Sequence, residues 1–341
     1  MTSIEDALNR YSRVSLTRVP TPLDHLIHLQ KEIGLNLYLK RDDLTDLTLG
    51  GDKPRKLEYE LARARENGAD IIVTCGSMQS NMARLTTAAA RKLGMDCALV
   101  LSQDPFNDLQ GNLMTVRLMG AQVRVIETDD HWDLEQYAFD LCDELRQAGR
   151  CPHYIPVSGS TPHSSLGYVR GTLELIGQLE EAGVTPQAVY TPFGTGGIFT
   201  SVLSTLRQKG YECPVIGISI NRQQPESMEN FQKWWEILSE LLALDPNRPT
   251  GPYEIYDEFI GKEYGDATEA GLDAILLMGG TEGILLDPVY SGKVFSGIVA
   301  QHAAGRWTPD QPLVMLHSGG VPALFAYRKE IEAHLEKRGL L

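Results

Sequence analysis

The chain has 341 residues, 42% of them hydrophobic, with 45 acidic and 31 basic side chains that give a formal charge of −14. This length suggests about two domains, and the apolar fraction suffices for a substantial buried interior, which argues against a disordered chain. No run of Lys and Arg interleaves with aromatics and no apolar stretch reaches about 18 residues, so neither nucleic acid nor a membrane span is expected.

Short apolar runs alternate with longer amphipathic ones. Strands are expected at Ile71–Cys75, Cys97–Ser102, Gln122–Ile126 and Tyr154–Val157, with helices at Lys56–Asn67, Ser80–Leu93, Asn107–Met119 and Trp132–Gln147. The pattern resumes with strands at Ala188–Phe193, Val215–Ile220 and Leu313–His317. Helices are expected at Phe199–Lys209, Pro225–Leu242, Thr268–Met278, Lys293–Ala304 and Pro322–Glu336. Such alternation implies a parallel sheet covered on both faces. Gly68, Gly94 and Gly210 stand where C-terminal helix caps belong. Asp245–Pro252 reads as a turn-rich loop, and the Trp234-Trp235 pair before it reads as a packed helix face. There is no internal repeat, and no linker long enough to separate independent domains, so two lobes sharing a cleft are expected.

The cysteines Cys75, Cys97, Cys142, Cys151 and Cys213 are odd in number and lack any CxxC spacing, a reduced profile without a zinc site. The acidic N-terminus has no apolar run of the signal-peptide kind. The expectation is a cytoplasmic protein with no metal site.

Four segments carry chemistry. In Gly50-Gly51-Asp52-Lys53-Pro54-Arg55-Lys56, paired glycines bring the backbone close to something and a lysine follows at once. A lone lysine is usually a solvated surface residue. Here Lys56 and a helix start add positive charge beside Lys53, an arrangement that calls for an anion. Gly194-Thr195-Gly196-Gly197 ends one strand and opens a helix, so its amides can face a phosphate. It lacks the GxGxxG spacing of a dinucleotide site, and no GxxxxGK[ST] is present, so a single phosphate fits best. Gln79, Ser80 and Asn81 gather short polar groups at a helix start, a receptor for a substrate carboxylate or an ordinary cap. Asp287-Pro-Val-Tyr290-Ser291-Gly292-Lys293 and His317-Ser318-Gly319-Gly320 are further joints whose hydroxyls at Ser291 and Ser318 are candidates for a ring nitrogen or substrate. An imine-forming lysine plus a one-phosphate cradle points to pyridoxal 5′-phosphate.

Taken together, these segments resemble the family of pyridoxal-phosphate enzymes containing D-cysteine desulfhydrase and 1-aminocyclopropane-1-carboxylate (ACC) deaminase. The likeness runs from Thr21 to Tyr327. Its specific blocks are Leu39-Lys40-Arg41-Asp42-Asp43, Gly50–Lys53 with Arg55–Glu58, Gln79–Asn81, Leu286–Tyr290 and Gly319–Leu324. It implies a tryptophan-synthase-β-like α/β fold: two open twisted lobes, 56–164 and 1–55 with 165–341, and the cofactor in the cleft between them. A homodimer is also implied. By resemblance, Lys53 bonds the cofactor and moves the Cα proton, and Ser80, Gln79 and Asn81 hold the substrate carboxylate, with Ser160 nearby. Asn81 also lies near the cofactor hydroxyl. Lys56 and Gly194–Gly197 match the phosphate site, and Tyr264 and Tyr290 match two active-site tyrosines.

Two positions separate the branches. The deaminase branch has a glutamate where this chain has Ser291 and a leucine where it has Ser318. A hydroxyl is a weaker partner for the pyridine nitrogen, which suits elimination of a good leaving group such as thiolate. Both positions resemble the desulfhydrase branch. Departures from the family cluster at one pocket: Asp52 for asparagine, Met82 for a polar residue, Ser158-Gly159-Ser160-Thr161 for Gly-Gly-Ser-Asn, and Ile198 for a hydroxyl residue. The expected function is α,β-elimination on a small, D-cysteine-like amino acid. The alternatives are ACC deamination, another pyridoxal reaction such as β-replacement or racemisation, and cofactor binding without turnover.

Overall fold

The computed structural model describes residues 3–103, 106, 108–128, 131–244 and 251–341, with backbone alone at 131 and 132. In chain order the first elements are α1 (Ile4–Leu8), β1 (Leu23–His25), α2 (Ile27–Ile33), β2 (Leu37–Arg41) and α3 (Lys53–Glu66). Next come β3 (Ile71–Ser77), α4 (Asn81–Lys92), β4 (Asp96–Ser102), α5 (Gly111–Leu118), β5 (Gln122–Ile126), α6 (His131–Gln147) and β6 (Pro152–Ile155). Then follow α7 (Pro162–Ala182), β7 (Ala188–Phe193), α8 (Gly197–Gln208), β8 (Val215–Ser219), α9 (Gln224–Leu242) and β9 (Tyr253–Tyr256). The last are α10 (Glu269–Glu282), α11 (Ser291–Ala303), β10 (Leu313–His317), α12 (Val321–Leu324) and α13 (Arg328–Lys337).

The strands form two sheets, ordered β1-β2-β10-β7-β8-β9 and β5-β4-β3-β6. All pairings are parallel except that of β1 with β2. Alternation along each strand divides the core. In the larger sheet Tyr190, Ile216, Ile218 and Met315 face one cluster, while Val189, Phe193, Val215 and Leu316 face another. In the smaller sheet Ile72, Leu99 and Leu101 pack on one side and Ile71, Val73 and Val100 on the other. Both sheets are covered on both faces, as parallel sheets require. The α/β architecture expected from the alternating pattern is therefore present.

Several local expectations change. Strands β1, β2 and β9 and helices α1, α2 and α7 lie outside the elements expected from the sequence pattern. The α7 helix was hidden by Gly167, Gly171 and Gly177, which lower helix propensity. Gly167 is needed because α3 crosses at backbone contact: a Cβ there would lie 2.1 Å from the Arg55 carbonyl oxygen. A capping box between Thr161 and Ser164 starts this helix. The helix expected over Pro322–Glu336 is broken by a 3-10 turn at Phe325–Tyr327, where the Tyr327 hydroxyl donates to the Gly265 carbonyl at 2.7 Å. The last strand of the smaller sheet ends at Ile155, and a 3-10 turn at Val157–Gly159 replaces its expected tail. Gly68, Gly94 and Gly210 take positive φ after their helices, as caps. The helix expected from Asn107 begins at Gly111, and Asn107 itself lies outside the described residues, as do positions 245–250 of the turn-rich loop.

Candidate active site

Ligands in open parallel sheets bind outside the carboxyl ends of the strands. Here the segments following β3, β7, β8 and β10 converge with the start of α3 on one cavity of about 300 Å³. Asp52, Lys53, Lys56, Ser80, Asn81, Gly194, Thr195, Gly196, Tyr264, Tyr290 and Ser318 are on its wall.

The candidate lysine, Lys53, is set by helix geometry and by a buried charge network. Lys53 is the first residue of α3, and its Nζ lies 2.6 Å from Asp52 Oδ2 and 5.9 Å from the Tyr290 ring centroid. Two positions on, Arg55 turns away from the cavity. Its Nη2 donates to Asp42 Oδ1 and Glu174 Oε1, each at 2.8 Å, and its Nε to Asp42 Oδ2 at 2.8 Å. Lys40 completes the pairing on Glu174. This interlock of β2, α3 and α7 explains why the Lys40–Asp43 and Arg55–Glu58 blocks occur together. Within this interlock each buried charge has a partner, as burial demands.

One turn further along α3, Lys56 is 4% exposed and makes no ion pair among the described residues. Its Nζ donates to Ser160 Oγ at 3.3 Å, and Ser160 Oγ lies 2.7 Å from Thr195 Oγ1. Burial, reinforced by the charge of Lys53 and opposed by Asp52, pushes the Lys56 amine down to about 7. A buried cation beside two hydroxyls and the N-terminus of α8 is an anion receptor. Gly196 at φ +94° shapes it, because a Cβ there would meet the Phe193 and Trp234 rings at 3.2 Å. Trp234, whose packing role was expected, is the floor under this turn. These residues fit one phosphate, with Lys53 available for an aldehyde.

Across the cleft, Ser80 caps α4 and its Oγ accepts from Ala83 N at 3.2 Å. Asn81 Oδ1 accepts from Asn112 Nδ2 at 2.9 Å. The Tyr264 and Tyr290 hydroxyls lie 2.7 Å apart, and burial raises Tyr290 well above its ordinary value, the neighbouring Tyr264 adding to it.

Two residues that the sequence reading set on ligands have other partners. Gln79 turns from the cavity: its Oε1 accepts from Asn112 N at 2.9 Å and its Nε2 donates to the Phe106 and Gln110 carbonyls. Ser291 is fully buried at the start of α11, where its Oγ donates to Asp287 Oδ1 at 2.6 Å and accepts from Asp287 N at 2.9 Å. It caps the turn that presents Tyr290 and does not reach the cavity. Ser160 and Gly197 stand just behind the wall. Ser318 lies on it, and its carbonyl accepts from Asp52 N at 2.9 Å, joining the end of β10 to the lysine loop.

The cavity also has residues the reading missed. Arg222 Nη1 donates to the Gly194 carbonyl at 3.0 Å and so holds the Gly194–Gly197 turn from the end of β8. Glu135 lines the opposite wall, where it accepts from the Tyr154 hydroxyl at 2.9 Å. Arg222 follows the end of β8, whose last residue Ser219 pairs with Phe193 beside Gly194, a signal the strand-end rule contains; Glu135, inside α6, has no such signal. Met82 fills space over Gly159, where a Cβ would meet its Cε at 2.3 Å, and Ser158 holds φ 66°. The departure at Met82 thus packs on the turn that carries the departure at Ser158.

The sequence matches the family model described as pyridoxal-phosphate dependent enzyme over residues 14–319. The chain belongs to this family, and pyridoxal phosphate is its cofactor. D-cysteine desulfhydrase of Serratia proteamaculans (strain 568) is 35% identical over 96% of this chain and 100% of its own length. A crystal structure of an ACC deaminase homologue superposes with a TM-score of 0.89 at 34% identity, covering 98% of this chain and 100% of that one. A fungal L-serine ammonia-lyase from Rhizomucor miehei, at 22% identity and a TM-score of 0.66 over 92% and 98% of the two chains, shares the fold.

Proposed function

We propose that this chain is a lyase that removes the β-substituent of a small amino acid, with D-cysteine the first substrate to test. One observation carries the reading: an amine at Lys53 stands between a one-anion receptor at Lys56, Ser160 and Thr195 and the polar helix start at Ser80 and Asn81. The cofactor, when bound, supplies a sink for the electron pair left at Cα. The Lys53 amine is the group placed to take the Cα proton. Ser80, Asn81 and the first amides of α4 bind the carboxylate. The Tyr264–Tyr290 pair delivers a proton to the departing sulfur. Arg222 keeps the phosphate turn in place, and Gln79 supports the carboxylate site without touching substrate. In sum, D-cysteine and water give pyruvate, ammonia and sulfide.

The full-length likeness to a D-cysteine desulfhydrase supports this choice, as does Ser318 on the wall. The likeness to an ACC deaminase homologue supports ring opening as a second reading. Assay of the purified, cofactor-loaded protein separates them. Sulfide and pyruvate from D-cysteine, with slow 2-oxobutanoate from ACC, is the expected result; fast ACC turnover with no sulfide reverses the assignment.

Two lobes, 56–164 and 1–55 with 165–341, are the proposed division around the cleft. A homodimer is proposed through a groove edged by Leu44, Leu49, Met114 and Phe325, which expose 49%, 65%, 42% and 64% of their surface. A monomeric mass in solution overturns it. Among the described residues no helix is long and apolar enough to cross a membrane, and the cysteines are unpaired, which supports a cytoplasmic location.

A further inference from the structure

We propose that Arg84 is a positioning residue that ties the loop delivering Lys53 to the helix start carrying Ser80 and Asn81, so that the amine and the carboxylate receptor keep a fixed separation. The inference rests on the reading of Lys53 as the cofactor lysine. Arg84, on α4, is fully buried, and no ion pair to it exists among the described residues. Burial lowers its guanidinium to about 10, with the Asp52 charge acting against that fall. A buried cation without a bonded carboxylate is costly, so something geometric must retain it.

That geometry is a four-way bridge. Nε donates to Asn112 Oδ1 at 2.7 Å; Nη2 donates to the Gly50 carbonyl at 3.0 Å and to Asn81 Oδ1 at 3.5 Å; Nη1 donates to the Thr48 carbonyl. Only a planar, five-donor group spans such a set. The loop it grips is unusual: Thr48, Leu49, Gly50 and Gly51 take φ of 39°, 65°, 66° and 131° in succession. Two of these are not glycine, and such backbone persists only where its surroundings over-determine it. On the other side, Asn112 Nδ2 donates to the Gln79 carbonyl at 2.7 Å and to Asn81 Oδ1, so Arg84 and Asn112 jointly fix the start of α4. Once the Lys53 amine is committed to the cofactor, Arg84 and Lys56 are both positive groups that still feel the Asp52 carboxylate.

Cofactor-free protein mixed with pyridoxal phosphate provides the test. The Lys53 nitrogen bonds to the aldehyde carbon and the oxygen leaves as water, a step followed by visible absorbance. Pyridoxine 5′-phosphate, which has no aldehyde, reports phosphate binding alone. In Arg84→Lys and Asn112→Ala the condensation should slow about tenfold or more, while pyridoxine phosphate affinity stays within about threefold. Arg84→Ala should recover speed on addition of sub-denaturing guanidinium. Condensation at the wild-type rate in both variants, or a failure of both to fold, overturns the positioning role. A wild-type protein that never develops the absorbance overturns the assignment of Lys53 instead.

Discussion

Lys53 and Asp52 are neighbours in the chain, yet both side chains enter the same cavity, with Nζ 2.6 Å from Oδ2. The amine proposed to attack an aldehyde is held by a carboxylate through a contact 13% and 4% exposed on its two sides. That pair has to open before the amine can react. Asp52→Asn, a change of one atom, should therefore speed covalent attachment of pyridoxal phosphate by about three- to tenfold without altering the fold. Stopped-flow absorbance measures it; an equal or slower rate removes the ion pair from the account.

Lys53→Ala should leave the secondary structure intact by circular dichroism and abolish the visible band. Turnover should fall by about 10⁴-fold or more, because the proposal makes one residue both tether and proton carrier. A variant that retains colour and activity shows another lysine to be the nucleophile.

Lys56 gives a pH dependence with a definite sign. Its folded-state value of about 7 lies below the unfolded 10.5, so between these limits the unfolded chain binds more protons. Stability of the cofactor-free protein from this group therefore rises from about pH 7 toward pH 10. Phosphate requires the charged amine, so cofactor binding above pH 7 takes up a proton and its affinity falls as pH rises. Calorimetry in buffers of differing ionisation enthalpy should register that uptake in the wild type and lose it in Lys56→Met. Equal uptake in the two proteins sinks the assignment.

The crossing of α3 and α7 is testable at one atom. Gly167→Ala sets a Cβ 2.1 Å from the Arg55 carbonyl oxygen, a backbone atom that cannot swing away. It should cost about 2–4 kcal/mol in urea unfolding. Gly177→Ala, on the same helix with nothing within 4 Å, should gain about 0.5–1 kcal/mol from reduced chain entropy. Similar effects at both sites would show that packing does not govern the crossing.

Tyr290→Phe removes a hydroxyl lying 2.7 Å from that of Tyr264. If the pair serves the leaving group, kcat should drop about 10²-fold with KM little changed. Tyr264→Phe should act in the same direction. A change confined to KM assigns the pair to substrate binding.

Much of this protein is written in short-range chemistry. Glycines at 50, 51, 194, 196 and 197, the lysines at 53 and 56, and the alternating apolar runs of β3, β4, β7, β8 and β10 each act over a few residues. They declared the α/β class and the pyridoxal-phosphate cofactor, and nominated the lysine and glycine turn of the candidate site, without a fold in view. Partners set by distant segments were not legible. Gln79 and Ser291 sit in telling motifs, but only the packed chain shows them bound to Asn112 and Asp287 rather than to a ligand. The glycines of α7 look like helix breakers until α3 is laid across them. Arg84, Arg222 and Glu135 gain meaning from what tertiary packing brings to them: a loop 34 residues earlier in the chain, the turn at Gly194 and the far wall of the cleft. The physical reason is range: backbone propensity and side-chain periodicity are local, whereas burial of a charge and the choice of its hydrogen-bond partner are settled only when remote segments close around it.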